Sequence, residues 1–418
     1  MNEVIKNRVL ATITKYKTEI LEFTKDLIAV ATENPPGTLY KTCVEIITKK
    51  LSEIGLDCEI IEVPNQSSAS KTEIFPRYCI LSFYGSGERT LYFHGHYDVV
   101  PASNEAQFQP YIENGKLYGR GSSDMKSGLT VMIYALRIIK ELKIPFNGRI
   151  GLIIVPDEET GGLMGSKYLS DNDILSKSAI GTLLPEPTSG VIWNANRGAI
   201  SLRITVKGKP AHVALQYHGV NAFERMIAVA NNLIELKTEV ESRTTSYNIR
   251  PEPAKHSILM LGGQCKGGSH FNLVPEEISF TIDRRINPEE DLESEKQRLL
   301  GLLEEIKKEG INLNFEILQE GESSGTSEDT PLARALVKNI KTITGNYPCF
   351  ELCPGLLETR FYTKKGIPAL AYGPGLLAVS HGPNEFIRIE DIYKSIAIYA
   401  LTAIEVFQAN MNTDMNLE

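Results

Sequence analysis

The sequence predicts an α/β fold in which one domain is drawn from both ends of the chain and a smaller α+β domain is inserted between them. Three features carry this reading. Strand-like and helix-like segments alternate over residues 1–195, the pattern of an α/β domain. Residues 196–321 change to a βαββαβ succession, the pattern of a small α+β sandwich. Alternation of the first kind returns over 322–418, and 418 residues exceed what one ordinary core organises.

Each element has a local signal. Residues 4–31 repeat apolar positions at helical spacing until Asn34-Pro35-Pro36-Gly37 stops them. A second helix over 40–54 ends at Gly55, and strands follow at 58–63, 78–84 and 90–93. Residues 128–142 read as a helix, 149–155 as a buried strand with a continuous apolar core, and 181–184 as a short strand. The inserted region has strands at 199–207, 257–261, 278–284 and 313–318, with helices at 220–236 and 289–308. The last stretch supplies a helix at 331–343, a strand at 369–372 and a helix at 389–407.

Composition excludes several classes. With 42% hydrophobic and 23% charged residues the chain has a globular composition, and no apolar run is long enough to span a membrane. The net charge is -8 and no basic stripe occurs, so nucleic acid is not an expected partner. The first residues are mixed and charged, without a signal-peptide apolar core, which points to a cytoplasmic protein. Six scattered cysteines form no CxxC pair, and Cys349 and Cys353 lack a second ligand pair, so reduced thiols are expected. Asn65-Gln66-Ser67 matches a glycosylation acceptor, which has meaning only in a secreted protein.

The chemistry concentrates where strands end. His94-Gly95-His96-Tyr97-Asp98 follows an apolar strand, and alternation lets His94, His96 and Asp98 point the same way. A neutral imidazole ligates zinc, and a carboxylate two residues on can fix its tautomer. Gly119-Arg120-Gly121-Ser122-Ser123-Asp124-Met125-Lys126-Ser127-Gly128 fails as a phosphate loop, because Asp124 stands where the third glycine belongs and Met125 where the glycine before Lys126-Ser127 belongs. A carboxylate there suits a metal. In Asp157-Glu158-Glu159-Thr160-Gly161-Gly162 three adjacent carboxylates repel one another. A cation would offset that repulsion, with one carboxylate ligating and its neighbour free to move protons. Glu186 follows the short strand at 181–184, and His381 follows the glycine-rich loop after the last strand. Ligand sites in α/β domains gather at the carboxyl ends of strands. His96, Asp124, Glu159, Glu186 and His381 exceed the three ligands of a single catalytic zinc, and match two metals sharing one bridging carboxylate.

These segments, HGHYDVVP (94–101), GRGSSDMKSG (119–128), DEETGG (157–162), EPT (186–188), KGKPAHVALQYHGVNA (207–222), NLVP (272–275), DRR (283–285) and HGPNE (381–385), resemble the co-catalytic zinc amidohydrolases. That family includes acetylornithine deacetylase, succinyl-diaminopimelate desuccinylase, aminoacylase and glutamate carboxypeptidase. The resemblance covers nearly the whole chain. It implies a zinc-peptidase-like three-layer α/β catalytic domain with an inserted ferredoxin-like α+β lid and dimerisation domain. It implies two zinc ions, with cobalt or manganese able to substitute. His96, Asp124 and Glu186 would hold one metal and Asp124, Glu159 and His381 the other. Asp98 would orient His96, Glu158 would be the general base, and His94 would be a supporting residue. His212, in the inserted domain, would reach the partner's site in a homodimer and stabilise the oxyanion. Asn272 and Arg285 match positions that bind substrate carboxylates, with Arg284 as the adjacent alternative; His218 lies in a loop nearby. Arg360 matches an arginine of a segment that shapes the substrate pocket, but Glu358 and Thr359 replace the usual residues before it.

The implied reaction is hydrolysis of an amide C–N bond in an N-acyl amino acid, of the deacetylase or desuccinylase type, with a dipeptidase or carboxypeptidase as the alternative. Two other readings compete. Gly321-Glu322-Ser323-Ser324-Gly325 matches the serine-hydrolase pattern, but a polar loop follows instead of a helix. A non-catalytic metal-dependent binder would need no Glu158 beside the ligand Glu159.

Overall fold

The computed structural model describes residues 3–64, 75–176 and 178–414; Asn65-Gln66-Ser67 lies outside the described residues. Two compact units emerge. The first comprises Met1–Asn194, Thr326–Phe350 and Glu358–Glu418, and the second Ala195–Gly325 with Glu351–Leu357.

The first unit is built on a mixed sheet. Its strands run in the order Cys58–Val63, Arg77–Ser86, Gly148–Val155, Thr90–His96, Ala179–Leu184, Ala369–Ala371 and Ile192–Asn196. Thr90–His96 is parallel to both neighbours, and Ala369–Ala371 is parallel to Ala179–Leu184. Buried on both faces, such strands read as continuous apolar runs. Leu91 and Phe93 pack under the helices Glu3–Ile28, Lys126–Leu142 and Ile389–Asp414, with Phe93 edge-on to Tyr399 at 5.0 Å. Tyr92, Ile153 and Val155 point to the opposite face and meet Leu169 and Tyr362, on the short helices Ser166–Asp171 and Thr359–Thr363. Helices on both faces of one sheet make three layers.

Pairing carries the central strand further than its apolar run. It continues through His96, with His94 opposite Ile153 and His96 opposite Val155. Both histidines therefore lie inside the strand, on the face of Tyr92. Gly95 points the other way, where a Cβ would come within 2.8 Å of Met125 Cε at the start of helix Lys126–Leu142.

The second unit contains the βαββαβ succession. Its antiparallel sheet has the order Ile258–Gly267, Glu277–Ile286, Gly198–Lys207, Leu313–Gly321. Ile200, Leu202, Ile204 and Val206 face Val229 and Leu233 of helix Ala222–Val240, and Leu299, Leu303 and Ile306 of helix Leu292–Lys308. Both helices start later than their apolar pattern. Asn221 caps one by accepting from Phe223 N and Glu224 N, and Asp291 caps the other by accepting from Ser294 N. Strand Ile258–Gly267 runs past the expected end at 261, with a bulge between Leu261 and Cys265 absorbing Gly262 and Gly263.

Some elements lie outside the sequence reading, while the rejected serine-hydrolase pattern fares as expected. Strand Ile192–Asn196 was not expected, nor was a small sheet of Tyr111–Glu113, Lys116–Tyr118 and Phe386–Arg388, whose three-residue strands give no usable alternation. The serine-hydrolase elbow is absent. After Gly321, Ser324 and Gly325 pair as a strand with Asn196 and Ala195, and the next helix begins only at Pro331. Cys349 is exposed and Cys353 buried, both as free thiols. Among the described residues no helix is long and apolar enough to cross a membrane.

Arg284 and Arg285 separate cleanly. Arg284 is buried against Glu290 (2.5 Å) and Glu295 (2.8 Å), whereas Arg285 pairs with Asp283 and is partly exposed. Removing one partner from a buried ionic network strands the others. Arg284→Ala should therefore destabilise the protein by about 3–5 kcal/mol in chemical denaturation, and Arg285→Ala by about 1 kcal/mol or less.

Candidate metal centre

The parallel strands deliver ligand-type side chains to one edge of the sheet. His96 is the last residue of its strand; Glu158 and Glu159 follow Gly148–Val155; Glu186 follows Ala179–Leu184; His381 follows Ala369–Ala371. Ligand atoms of His96, Asp124 and Glu159 all lie within 4.8 Å of one another. His96 Nε2 is 3.3 Å from Asp124 Oδ1, and His381 Nε2 is 3.4 Å from Asp124 Oδ2 and 3.2 Å from Glu159 Oε2. Asp124 thus faces both imidazoles. Glu186 is buried and interacts electrostatically with His96, Asp124 and Glu159 of the same cluster.

Three buried atoms here have no hydrogen-bond partner: His96 Nε2, Glu159 Oε1 and Glu186 Oε1. An unsatisfied buried polar atom costs about 1–3 kcal/mol, more if charged. Converging orphan nitrogen and carboxylate atoms form the donor set of a borderline cation such as zinc. The residues fit the metals that the sequence implies.

Asp98 is fully buried and holds His96 from behind. His96 Nδ1 lies 3.0 Å from the Asp98 carbonyl oxygen and 3.4 Å from Oδ1. The same carboxylate accepts from Asn34 Nδ2 at 2.9 Å and from the backbone N–H groups of Glu158 and Glu159 at 3.2 and 3.1 Å. It therefore ties the imidazole to the turn that carries the two glutamates. Asn34 was legible only as a helix stop. Its functional signal was slight, a polar residue before Pro35-Pro36 that turns out to be 2% exposed. Asp157 supports the turn itself. It has a left-handed backbone (φ 77°), and its carboxylate accepts from Thr160 Oγ1 at 2.6 Å and Met164 N at 2.9 Å.

His94, two residues earlier on the same strand face, meets other partners. Its Nε2 is 2.6 Å from Glu358 Oε2 and 3.1 Å from Ser166 Oγ, and its Nδ1 is 2.8 Å from the Tyr362 hydroxyl. Glu358, one of the two residues that depart from the family pattern, thus packs against His94. Arg360 is 5% exposed, donates to the Gly161 carbonyl at 2.6 Å and stacks on Phe361, which fastens the end of the glutamate turn.

Electrostatics follow from burial of like charges. Burial opposes ionisation of Asp124 and Asp98, but the adjacent imidazoles of His381 and His96 hold Asp124 well below the usual carboxylate range, and His96 and Asn34 hold Asp98 below it. Burial lifts Glu186 to about 8, offset in part by His96. Burial also lifts Glu159, and lifts Glu158 far above the usual range with further pushes from Glu159, Glu186 and Glu358. Burial works against a charged His96, but Asp124 and Asp98 outweigh it and raise its pKa well above the usual value. Hydrogen bonds with Asp124 and Glu159 raise His381 to about 10.

In the second unit, His212 and Asn272 lie in one loop cluster. Val213 N donates to the Asn272 carbonyl at 3.0 Å, and His212 bridges to Leu273. His212 is exposed and its Nδ1 accepts from Ala214 N; His218 is exposed and packs on Tyr217. Arg285 stands opposite Ala199, whereas the His212 cluster adjoins the Lys207–Glu277 end of the same strands.

A family model described as peptidase family M20/M25/M40 matches residues 92–405. The chain belongs to that family. The M20 chain is therefore a metal-dependent hydrolase, on the three-layer fold with an α+β second domain. It is 26% identical over 405 residues to a probable succinyl-diaminopimelate desuccinylase of Staphylococcus epidermidis, covering 89% of this chain and 95% of that one. It is 27% identical over 395 residues to a succinyl-diaminopimelate desuccinylase of Alkalilimnicola ehrlichii, covering 91% and 97%. Among solved structures, the dipeptidase Dug1p of Saccharomyces cerevisiae superposes with a TM-score of 0.79 at 17% identity, over 96% of this chain and 98% of that one. The M20 metallo-carboxypeptidase Sso-CP2 of Sulfolobus solfataricus gives 0.78 at 18%, over 94% and 99%.

Two outcomes test this M20 site. Losing a residue behind the ligands typically costs about 10- to 100-fold in metal affinity. His94→Ala should lose no more than that, while His96→Ala should abolish tight binding; equal losses, by metal analysis after dialysis, would contradict the division. Glu186 and His381, with pKa values raised to about 8 and about 10, carry protons at pH 7 that a metal bound by them would displace. Zinc binding should release at least about one proton, and apparent affinity should rise from pH 6 to 8. Calorimetry in buffers of different ionisation enthalpy reads both.

Proposed function

We propose that the chain hydrolyses the amide bond of an N-acyl amino acid, of the deacetylase or desuccinylase type, with two zinc ions at the site. The observation that carries this reading is the convergence of His96, Asp124 and Glu159 within 4.8 Å, with Glu158 beside them and outside the ligand set. His96, Asp124 and Glu186 would hold one metal, and Asp124, Glu159 and His381 the other. Cobalt or manganese would be tolerated by such donors. Bound metals would supply polarisation of the scissile carbonyl and acidification of water.

The chain's own residues do the rest. Glu158 takes the proton of the attacking water and returns it to the leaving amine. Its burial beside other carboxylates suits that exchange, because it raises the proton affinity well above that of an ordinary carboxylate. Asp98 keeps the His96 proton on Nδ1, leaving Nε2 as the ligand atom. The 358–361 segment holds the glutamate turn through Arg360. Asn272 and Arg285 are assigned to the substrate carboxylate, Arg through its paired donors.

His212 is assigned to the oxyanion of a partner subunit's site. One observation favours a composite site. From Ala199, opposite Arg285, to Lys207 is about 27 Å of extended strand. That separation along the sheet supports assigning His212 and Arg285 of one site to different copies. The helix Ala222–Val240 carries exposed Phe223, Ile227 and Ile234 on one face, and Ile258–Gly267 is an edge strand, which suits homodimerisation through this unit. A cytoplasmic setting accords with six free cysteines.

A dipeptidase or carboxypeptidase on the same residues is the second reading, favoured by the solved structures it resembles. A turnover screen of acetyl-, succinyl- and formyl-amino acids against dipeptides, with added zinc or cobalt, decides between them; no turnover on any would sink both. Glu158→Ala should keep its metal and lose at least about 100-fold in kcat. Mixing Glu158→Ala and His212→Ala subunits should restore about a quarter of wild-type activity, because half the dimers are mixed and each carries one intact site. No recovery would place His212 in its own subunit's site or outside catalysis.

A further inference from the structure

Asp124 and His381 sit on loops from opposite ends of the chain, and neither loop belongs to the sheet ladder that fixes His96. Between them lies an ion pair of Arg120 and Glu385, each 1% exposed, that has no part in the metal or substrate assignments. Glu385 Oε1 accepts from the backbone N–H groups of Ser123 at 2.9 Å and Asp124 at 3.0 Å. Its Oε2 lies 2.6 Å from Arg120 Nη1. The other arm, Arg120 Nη2, donates to the His381 carbonyl at 3.1 Å. One carboxylate thus grips the Asp124 loop, and one guanidinium grips the backbone of His381.

Further bonds close the unit. Gly119 N donates to the Glu385 carbonyl at 3.1 Å and Arg120 N to the Gln107 carbonyl at 2.9 Å, while Gln107 Nε2 donates to the Gly382 carbonyl at 3.1 Å. His381 needs such support, because it is a non-glycine residue held at φ 64°, in the left-handed region. The chain leaving that strained residue is held twice, its own carbonyl by Arg120 and the next carbonyl by Gln107.

We propose that Arg120 and Glu385 are positioning residues for the metal centre, setting the distance between Asp124 and His381. This rests on the metal reading given above. The geometry demands an arginine. Its planar fork reaches a carboxylate and a carbonyl at once, which a lysine ammonium on a flexible stem does not reproduce. It also demands a carboxylate that can serve two N–H groups and a cation together. Loop-borne ligands depend on such support more than strand-borne ones do, because no sheet ladder holds them; Ser123 Oγ, which accepts from Leu376 N at 3.1 Å, adds a second tie between the same two loops.

Zinc affinity, measured by competition with a chromophoric chelator on the full-length protein, tests this. Glu385→Gln keeps an acceptor for the two N–H groups but loses the charge; Arg120→Lys keeps the charge but loses the second arm. Each should bind zinc about 10- to 100-fold more weakly than wild type. Leu336→Ala, a buried core truncation on helix Pro331–Thr344, serves as a stability control and should bind as wild type does. Should Glu385→Gln fail to fold, Arg120→Lys carries the test alone. Wild-type affinity in a folded Arg120→Lys, or an equal loss in Leu336→Ala, overturns the proposal. His96→Ala separates the two levels. If it binds zinc as tightly as wild type, the metal reading falls and this proposal with it; if only the Arg120 and Glu385 variants are unaffected, the metal reading stands and the positioning role does not.

Discussion

Everything in the first unit answers to one electrostatic constraint, the crowding of Asp98, Asp124, Glu158, Glu159 and Glu186 at one buried edge of a sheet. Moving a carboxylate out of water costs several kcal/mol per ion even after relaxation. Of these five, Asp98 is satisfied by Asn34, His96 and two backbone N–H groups. The others share two imidazoles, and raised proton affinities at Glu158, Glu159 and Glu186 record what is left unbalanced. Such a cluster is tolerable only on a scaffold that prevents it from relaxing outward. Parallel strands covered by helices on both faces provide that rigidity, and the residues behind the ligands transmit it.

That constraint explains what was legible in the sequence. Carboxylates and histidines directly after apolar runs are conspicuous because water-exposed turns rarely need so many of them in series. His96, Glu159, Glu186 and His381 stood out for this reason, and Asp124 did so by spoiling a phosphate loop. The inserted unit was legible because Ile200, Leu202, Ile204 and Val206 alternate strictly. What was not legible depends on contacts between distant segments. Asn34 looked like punctuation until its amide was seen on Asp98. Glu358 looked like a pocket residue, but it meets His94 across the fold. Strands of three residues, such as Lys116–Tyr118, exist only because a partner strand completes them. Helix starts were misplaced by two or three residues at Asn221 and Asp291, where capping side chains override the apolar rhythm.

Strand and loop divide the labour at the site. His96 inherits its place from ladder bonds to Gly148–Val155 and cannot move without disturbing the core. The glutamate turn, the Asp124 loop and the His381 loop have no ladder, and each is held by buried side chains instead: Asp98 and Arg360 for the first, Glu385 for the second, Arg120 for the third. Polar groups in these roles are buried as deeply as the leucines around them. Hydrophobicity alone would therefore misjudge which positions tolerate change.

The assembly of the first unit from both ends of the chain has a consequence for the life of the molecule before it is complete. His96, Asp124, Glu159 and Glu186 are all made long before His381, and strand Ala369–Ala371, which sits between Ala179–Leu184 and Ile192–Asn196, arrives late as well. During synthesis, domains fold as units from the N-terminus, but here the amino-terminal part leaves the ribosome with a gap in its sheet and an acidic cluster lacking one of its two imidazoles. The intervening second unit, Ala195–Gly325 with Glu351–Leu357, has all its residues before Ala369 is made and can fold first. The growing chain thus completes neither the sheet nor the acidic cluster until residues 369–381 exist, and strand Ala369–Ala371 and His381 close the two together.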